Sequence, residues 1–319
     1  MKTGVIAFYN TENFFDIYDD PQKHENEYTP KGSRRWTPQR YRNKVGKISS
    51  VLSEIGKKET GEPPFIIGLA EIENKRVLKD LVHAEHLEEL GYRYIHYESL
   101  DERGMDTALL YREGYITPIY SEPIRSVYTR QDGVSADYTR DILYVQFELN
   151  QRIIHTFTVH LPSRRDLDVN RNYRNLILKQ LREKVDSLFA EDPHAFIVVM
   201  GDFNGNPNDE DARSLLRTVG QMGKISDELF NPMLNMGGYG EGSLKHDGRW
   251  ILFDQILFSH AFFLDEEPRI NFHSAHIYND RSVQEWNRRF KGSPFRTFAG
   301  TKYLGGYSDH FPVYAIINY

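Results

Sequence analysis

The chain has 319 residues, a formal net charge of −6, 39% hydrophobic residues and no cysteine. Without cysteine it has no disulfide, thiolate metal site or cysteine nucleophile, and net acidity disfavours general attraction to nucleic acid. No run of 18 apolar residues is present, so no membrane-spanning helix is expected. A secretory apolar region is also not visible near the first residue, so a soluble monomer is expected, cytoplasmic or exported with its leader absent from this sequence.

In chain order, "GVIAFYN" reads as a first strand. Thr37-Pro38 opens a helix, with Thr as cap and Pro at the first position. Its apolar positions are Tyr41, Val45, Ile48, Leu52 and Ile55, and Gly56 is expected to close it. "PFIIGLAE" is a strand buried on both faces. Asn74 caps a second helix carrying Val77, Leu78, Leu81 and Val82, with its end predicted at Gly91. Strands follow at "RYIHYES", "DTALLYR", "DILYVQFEL" and "IIHTFTVHL". A long helix is expected from about Asp168 to Ala190, with Val169, Tyr173, Ile177, Leu181, Val185 and Leu188 on one face. "AFIVVMGDFN", a short helical piece, the Gly-rich loop "NMGGYGEGS", "FDQILFS" and "PVYAIINY" complete the chain. Neither a Pro/Ser linker nor an internal repeat divides it, so one domain over residues 1–319 is expected. Runs of strands between helices predict an α/β chain with two sheets packed on each other and helices outside.

Polar residues recur where the predicted strands end. Asn10 and Asn13 follow the first strand, Glu71 ends the second, and His160 ends "FTVHLPS". Asp202 and Asn204 follow "VVM", Asp254 opens "FDQIL", and Asp309 and His310 precede the last strand. In extended chain, residues two apart face the same way, so Asp202 and Asn204 would address one point. Each residue has a plainer reading as well. Glu71 can cap the helix that follows, and His160 can be a core histidine. Asp202 and Asn204 can form an Asx turn with Gly205 and Pro207, and Asp254 can pair with Arg249. Taken together, converging strand ends would gather Glu71, Asp202, Asp309, Asn10 and Asn204 into an oxygen-rich cluster. Carboxylates that close need a cation, and hard oxygen donors without thiolates suit Mg²⁺ or Mn²⁺. With two histidines nearby, these are the parts of metal-assisted phosphoester hydrolysis.

The motifs "FYNTENFFD", "GLAEIEN", "VHLPSRR", "GDFN", "FDQIL" and "SDH", in that order, resemble the endonuclease/exonuclease/phosphatase superfamily from residue 4 to residue 316. The resemblance implies a four-layer α/β/β/α sandwich of two mixed sheets flanked by helices, with the deoxyribonuclease-I-like fold. It implies Glu71 as principal metal ligand with Asn10, and Asp309 near the metal. Asp202 would activate or orient the attacking water, Asn204 would hold a phosphate oxygen, and His310 would contact the scissile phosphate. Asp254 would fix the His310 tautomer. His160 matches a second histidine, which Asp106 would orient, and Arg140 and Asn13 are candidates for substrate contact.

Two acid-free runs bear on the substrate. Residues 31–47 hold seven Lys/Arg and residues 286–308 hold five, with aromatics interleaved. With Arg164, Arg165, Arg171 and Arg174, they favour a nuclease whose loops, carrying Arg34, Arg35, Arg164, Arg165 and Arg296, hold a nucleic-acid strand. A phosphatase or phosphodiesterase for a small molecule or lipid headgroup is the alternative, which the net acidity favours. A catalytically silent binding module is the third, and the intact set of polar residues argues against it.

Overall fold

The computed structural model describes residues 2–21, 23, 26–129, 136–164, 168–223, 227–236, 241–287 and 289–319. Thirteen strands build two sheets: β1 (Thr3–Phe14), β2 (Ile66–Ile72), β3 (Tyr92–His96), β4 (Asp106–Arg112), β5 (Thr117–Ile124), β6 (Ile142–Leu149), β7 (Arg152–His160), β8 (Phe196–Asp202), β9 (Thr218–Val219), β10 (Leu229–Phe230), β11 (Asp254–Phe258), β12 (Asn271–Ile277) and β13 (Val313–Asn318). The first sheet has the order β12-β13-β1-β2-β4-β3 and the second β9-β10-β11-β8-β7-β6-β5. Both are mixed. β1 runs parallel to β2 and antiparallel to β13, and β8 runs parallel to β7 and antiparallel to β11.

Alternation along the central strands makes four layers. Val5 and Ala7 pack under helices α1 (Pro38–Leu52) and α3 (Lys75–Val82), reached across the short helix α2 (Lys57–Thr60), while Ile6 and Phe8 face the other sheet. On β8, Val198 and Met200 point to the sheet–sheet core, and Ile197 and Val199 point to helix α4 (Arg171–Glu191). Helix α5 (Glu210–Leu216) joins α4 on that outer face. Each central strand is therefore apolar on both faces, which is why its sequence reads as a continuous apolar run.

Most predicted elements appear where expected. Thr37 caps α1 by accepting from the Arg40 N–H, with Pro38 as first residue. Asn74 caps α3 by accepting from the N–H groups of Arg76 and Val77. Some boundaries differ. Gly56 does not close α1, which ends at Leu52 with Ser53 as cap; Gly56 instead precedes α2 with φ 68°. Likewise α3 stops at Val82, and Gly91 closes a separate turn, Glu88–Leu90. Besides the two-residue β9 and β10, two strands carry no clear signal in the sequence. β5 contains Pro118 and Pro123 and lies at the sheet edge, where a missing N–H is tolerated. β12 is also an edge strand, and its four polar residues and half-buried pattern blur the alternation. Part of the Gly-rich loop, residues 237–240, lies outside the described residues.

Candidate active site

At one end of the sandwich, corresponding ends of the two sheets meet. In the second sheet the register aligns three site residues across adjacent strands: Asp202 lies opposite Asp254 on one side and opposite His160 on the other. Gly201 permits this, because an added Cβ there would overlap the Val159 carbonyl of the neighbouring strand. In the first sheet, β1 and β2 depart from regular pairing after Asn10 and Ala70. Glu12, Asn13 and Glu71 there take left-handed backbone at φ 52°, 48° and 64°. Asn enters this region readily, but the two glutamates adopt it only under constraint from their surroundings. The bulge turns Glu71 toward the second sheet.

The residues meet as follows. The Asn10 amide donates to Asp202 Oδ2 (3.0 Å) and, at longer range, to Glu71 Oε1 (3.4 Å). The Asn13 N–H donates to Glu71 Oε2 at 2.6 Å. His160 Nε2 sits 3.7 Å from Asp202 Oδ2 and 3.9 Å from Glu71 Oε1. His310 Nδ1 is hydrogen-bonded to Asp254 Oδ2 at 2.7 Å, and His310 Nε2 is 3.9 Å from Asp309 Oδ1. The Ser308 hydroxyl donates to the Asn10 carbonyl and accepts from the His310 N–H, tying the segment before β13 to β1. Asp202, Asp254 and His310 offer ligand atoms within 4.8 Å of one another, all buried. A cavity of about 420 Å³ opens over the group, lined by Asn10, Asn13, Glu71, His160, Asp202, Asn204, Asp309 and His310, with Glu27, Tyr28, Arg34, Arg103, Arg140 and Ser163 around them.

Burial and neighbouring charge separate the protonation states. Burial and the adjacent Asp254 carboxylate push Asp202 up to about 7, against His310 and the hydrogen bonds from Asn204 and Asn10. Burial opposes the charged form of His310, but the Asp254 charge and hydrogen bond, with Asp309 and Asp202, outweigh it and hold the imidazolium well above its ordinary range. His160 moves the other way: burial, then Arg140, His310 and Arg103, hold it neutral. One histidine is thus a charged donor and the other a neutral ring, set by environment alone.

Several expectations change. Asp202 and Asn204 do not share an extended face, since Asn204 has φ 44°. Its N–H closes an Asx turn on Asp202 Oδ1, and its amide donates to the Leu161 carbonyl, yet it still lines the cavity. The turn and the site are therefore the same feature. Asp106 does not orient His160. Its carboxylate takes His96 Nε2 (3.2 Å) and the Ser99 N–H (3.1 Å), while His160 Nδ1 has no partner. Asp254 pairs with His310 rather than Arg249. Arg164 donates to the Asn204 carbonyl (2.7 Å) and pairs with Asp209, so it braces the turn. Arg171 pairs with Asp211, and Arg174 with Asp168. Arg165 lies outside the described residues. In the first basic run only Arg34 lines the cavity, whereas Arg35 is exposed away from it. Arg40 lies over Tyr303, Lys44 is buried, and Lys47 lies over Tyr307. Arg296 does not line the cavity either. Arg140 does: it is 8% exposed, 3.7 Å from Asp101, and its Nε makes no hydrogen bond. Glu27, Tyr28 and Arg103 were not singled out in the sequence, and Ser163 appeared there only within "VHLPSRR". Glu27, Tyr28 and Arg103 carry no motif spacing, and only the fold brings them to this cavity.

Fold and site together define a four-layer α/β/β/α sandwich with an acid- and histidine-rich centre where its two sheets meet. The chain belongs to the Endonuclease/Exonuclease/phosphatase family, which it matches over residues 5–319. That family is divalent-metal dependent, and its members hydrolyse phosphate esters. Among solved structures, the chain is similar to a mannosyl-6-phosphatase of Bacteroides thetaiotaomicron, at 15% identity, TM-score 0.60, with 99% of this chain and 100% of that one covered. It is similar to an endonuclease/exonuclease/phosphatase family protein of the same organism, at 15% identity, TM-score 0.60, covering 99% and 98%. A third similar structure is D. rerio TDP2 complexed with single-strand DNA product, at 15% identity, TM-score 0.58, covering 99% of both chains. No curated protein matches the chain. At such identities the likeness establishes the fold. Among the described residues, no helix is long and apolar enough to cross a membrane.

Proposed function

We propose that the chain is a Mg²⁺- or Mn²⁺-dependent hydrolase of small phosphate esters. The observation that carries this reading is the buried Asp202–Asp254–His310 group facing Glu71 and Asn10 across the joined sheet ends. A divalent cation fits the residues present. Glu71, Asp202 and Asp309 open onto one cavity with no Lys/Arg hydrogen-bonded to them among the described residues, and burial with the Asp254 carboxylate pushes Asp202 up to about 7, a cost that a bound cation would relieve. Glu71, with Asn10 and Asp309 beside it, would hold the ion. When bound, the ion would polarise a phosphoryl oxygen and neutralise developing charge.

The protein's own residues supply the rest. Asp202, in register between Asp254 and His160, would accept the proton of the attacking water. His310, held as imidazolium by Asp254, would donate from Nε2 to a phosphate oxygen or to the leaving group. Neutral His160 and the guanidinium groups of Arg103 and Arg140 would hold the remaining phosphate oxygens, and Asn204 would orient them from its turn. A small substrate is favoured because Arg164, Arg171 and Arg174 are paired with acids, and because Glu27 adds a carboxylate to the cavity wall.

A nuclease is the second reading, favoured by the three arginines, Arg34, Arg103 and Arg140, that reach the cavity. The two readings differ in salt dependence, since several phosphate contacts give a steep fall in affinity with salt and one or two give a shallow one. Initial rates on 4-nitrophenyl phosphate and bis(4-nitrophenyl) phosphate with Mg²⁺ or Mn²⁺ test the chemistry. His310→Ala should lower the rate roughly 10²–10⁴-fold, and adding Asp254→Asn should change little more, because the pair acts as a unit. Undiminished activity in excess chelator would reject the metal-dependent reading.

A further inference from the structure

One wall of the cavity has a composition that phosphate chemistry does not require. The segment Glu27–Trp36 stands over the site and is fixed at many points. The Arg34 N–H donates to the Glu27 carbonyl, the Trp36 N–H to the Thr29 carbonyl, and the Trp36 indole to the Phe15 carbonyl at 3.0 Å. Arg34 Nη1 donates to the Gly300 carbonyl at 2.5 Å, and Arg40 holds the Arg34 carbonyl at 2.7 Å. The wall is preformed.

Three side chains on it face the cavity: Glu27, Tyr28 and Arg34. Glu27 and Arg34 form an ion pair at 3.0 Å, yet their side chains keep 37% and 19% of their surface exposed. Tyr28 is 3% exposed, and its hydroxyl makes no hydrogen bond to any described residue. That hydroxyl reaches the cavity surface, where it can donate to or accept from a ligand's polar atom. Its ring offers nothing to a flat ligand, because Phe15 stacks on it at 4.4 Å and the Arg34 guanidinium lies 4.8 Å from its centroid. Apart from the two histidines, Tyr28 is the one aromatic among the described lining residues, and none is aliphatic. The wall therefore lacks a stacking platform for a nucleobase and an apolar surface for an acyl chain. It offers a carboxylate acceptor, a guanidinium donor and a phenol that can do either. A group whose every polar atom both donates and accepts satisfies all three, and that is a polyhydroxylated carbon skeleton.

We propose that Glu27, Tyr28 and Arg34 form a hydroxyl-binding subsite that reads the polyol portion of a phosphate ester, as in a sugar or cyclitol phosphate. This rests on the hydrolase reading and adds the substrate class to it. Glu27 accepts from one hydroxyl, Arg34 donates to a neighbouring one, and Tyr28 closes its open valence on a third group, while the phosphate lies over Glu71, Asp202 and His310. A nucleic-acid strand is disfavoured at the same wall, since Glu27 would face its charge.

The test compares kcat/KM for glucose 6-phosphate and myo-inositol 1-phosphate with that for 4-nitrophenyl phosphate, in the wild type and in Glu27→Gln and Tyr28→Phe. In the wild type one of the two polyol esters should exceed the chromogenic ester, although its leaving group is poorer. Each substitution should lower the polyol-to-chromogenic ratio about tenfold, as loss of one hydrogen bond to a substrate hydroxyl does. An unchanged ratio in both variants, or faster turnover of a single-stranded oligonucleotide than of either polyol ester, overturns the subsite. Calorimetric titration of the better polyol ester into His310→Ala reads binding without turnover, and Tyr28→Phe on that background should weaken it about tenfold. Binding that survives in a protein inactive on every ester would remove the hydrolase reading and leave the subsite. Hydrolysis of the chromogenic ester without polyol preference or polyol binding would do the reverse.

Discussion

Glu71 shows at the scale of one residue what the site demands of the backbone. It sits in the left-handed region at φ 64°, where a side chain carries a cost of order 1 kcal/mol and glycine carries almost none. Its carboxylate nonetheless takes the Asn13 N–H at 2.6 Å and looks across at Asp202 through Asn10. Glu71→Gly should leave the protein as stable as the wild type or more so, by up to about 1 kcal/mol, while hydrolysis falls at least a hundredfold. Chemical denaturation and initial rates, measured on one preparation, check both halves. Glu73, two residues on, gives a pH prediction away from the chemistry. Burial raises it from 4.5 to about 8, with Asp16 contributing its charge, while the Asp16 N–H donates to its Oε2 at 2.6 Å and pulls the other way. The folded state therefore binds this proton more tightly than the unfolded one. The resulting stability is present below about pH 4.5 and is lost as pH rises toward 8. Glu73→Gln keeps the acceptor and removes the ionisation. Its melting temperature should match the wild type near pH 5 and exceed it at pH 8, by a shift corresponding to on the order of 1 kcal/mol of stability. Equal melting temperatures at pH 8 would contradict this account.

At the scale of elements, the segment before Asp309 and His310 is held by a buried pair. Lys44 of α1 is 1% exposed and donates to the Thr297 hydroxyl (2.6 Å) and the Tyr307 carbonyl (2.5 Å). Glu12, in the bulge of β1, accepts from the N–H groups of Thr297 (2.6 Å) and Phe298 (3.2 Å). Burial lowers Lys44 to about 8, and burial with Asp309 raises Glu12 to about 7; each partner's charge opposes the other's shift. Removing one charge alone strands the other. Lys44→Met should destabilise by roughly 3 kcal/mol, and adding Glu12→Gln should recover about half of that, because the uncompensated carboxylate is gone. A denaturation double-mutant cycle reads the coupling; additive losses would show that the pair does not act together. The same pair explains why the first basic run is a poor guide to ligand binding. Lys44, Arg40 and Lys47 are turned inward or onto aromatic rings, and sequence spacing cannot separate such cations from those that meet solvent.

At the scale of the whole molecule, the site belongs to neither sheet alone. Glu71 and Asn10 come from one sheet, and Asp202, Asp254 and His160 from the other. A cation bound between them should therefore stabilise the packed sandwich. At a hundredfold excess over its dissociation constant the gain is about 2.7 kcal/mol, visible as a rise in melting temperature with Mg²⁺ or Mn²⁺. Glu71→Gln should remove most of that rise. A rise of equal size in the variant would place the ion elsewhere.

Much of this was legible in the chain. Continuous apolar runs at "IIGLA" and "IVVM" mark strands buried on both faces, because two sheets packed between helices leave no polar side. Thr37-Pro38 and Asn74 mark helix starts, because orphan N–H groups need an acceptor at once. The Asp254–His310 pair was legible only through the resemblance of the ordered motifs to the family, since the two residues lie 56 positions apart, one on β11 of the second sheet and the other just before β13 of the first. What the sequence left open depends on which segments pack against one another, whether near or far along the chain. Whether Asp106 meets His160 or His96 is set by strand pairing, and the local turn chemistry of "DTALLYR" is the same either way. Whether an arginine binds a phosphate or an aspartate depends on which loop faces it. The wall of Glu27, Tyr28 and Arg34 has no motif because its neighbours, Phe298 and Gly300, lie more than 260 positions away. Local physics wrote the elements and the catalytic order into the sequence; the partners of each charge, and hence the specificity of the cavity, arise only when distant segments pack.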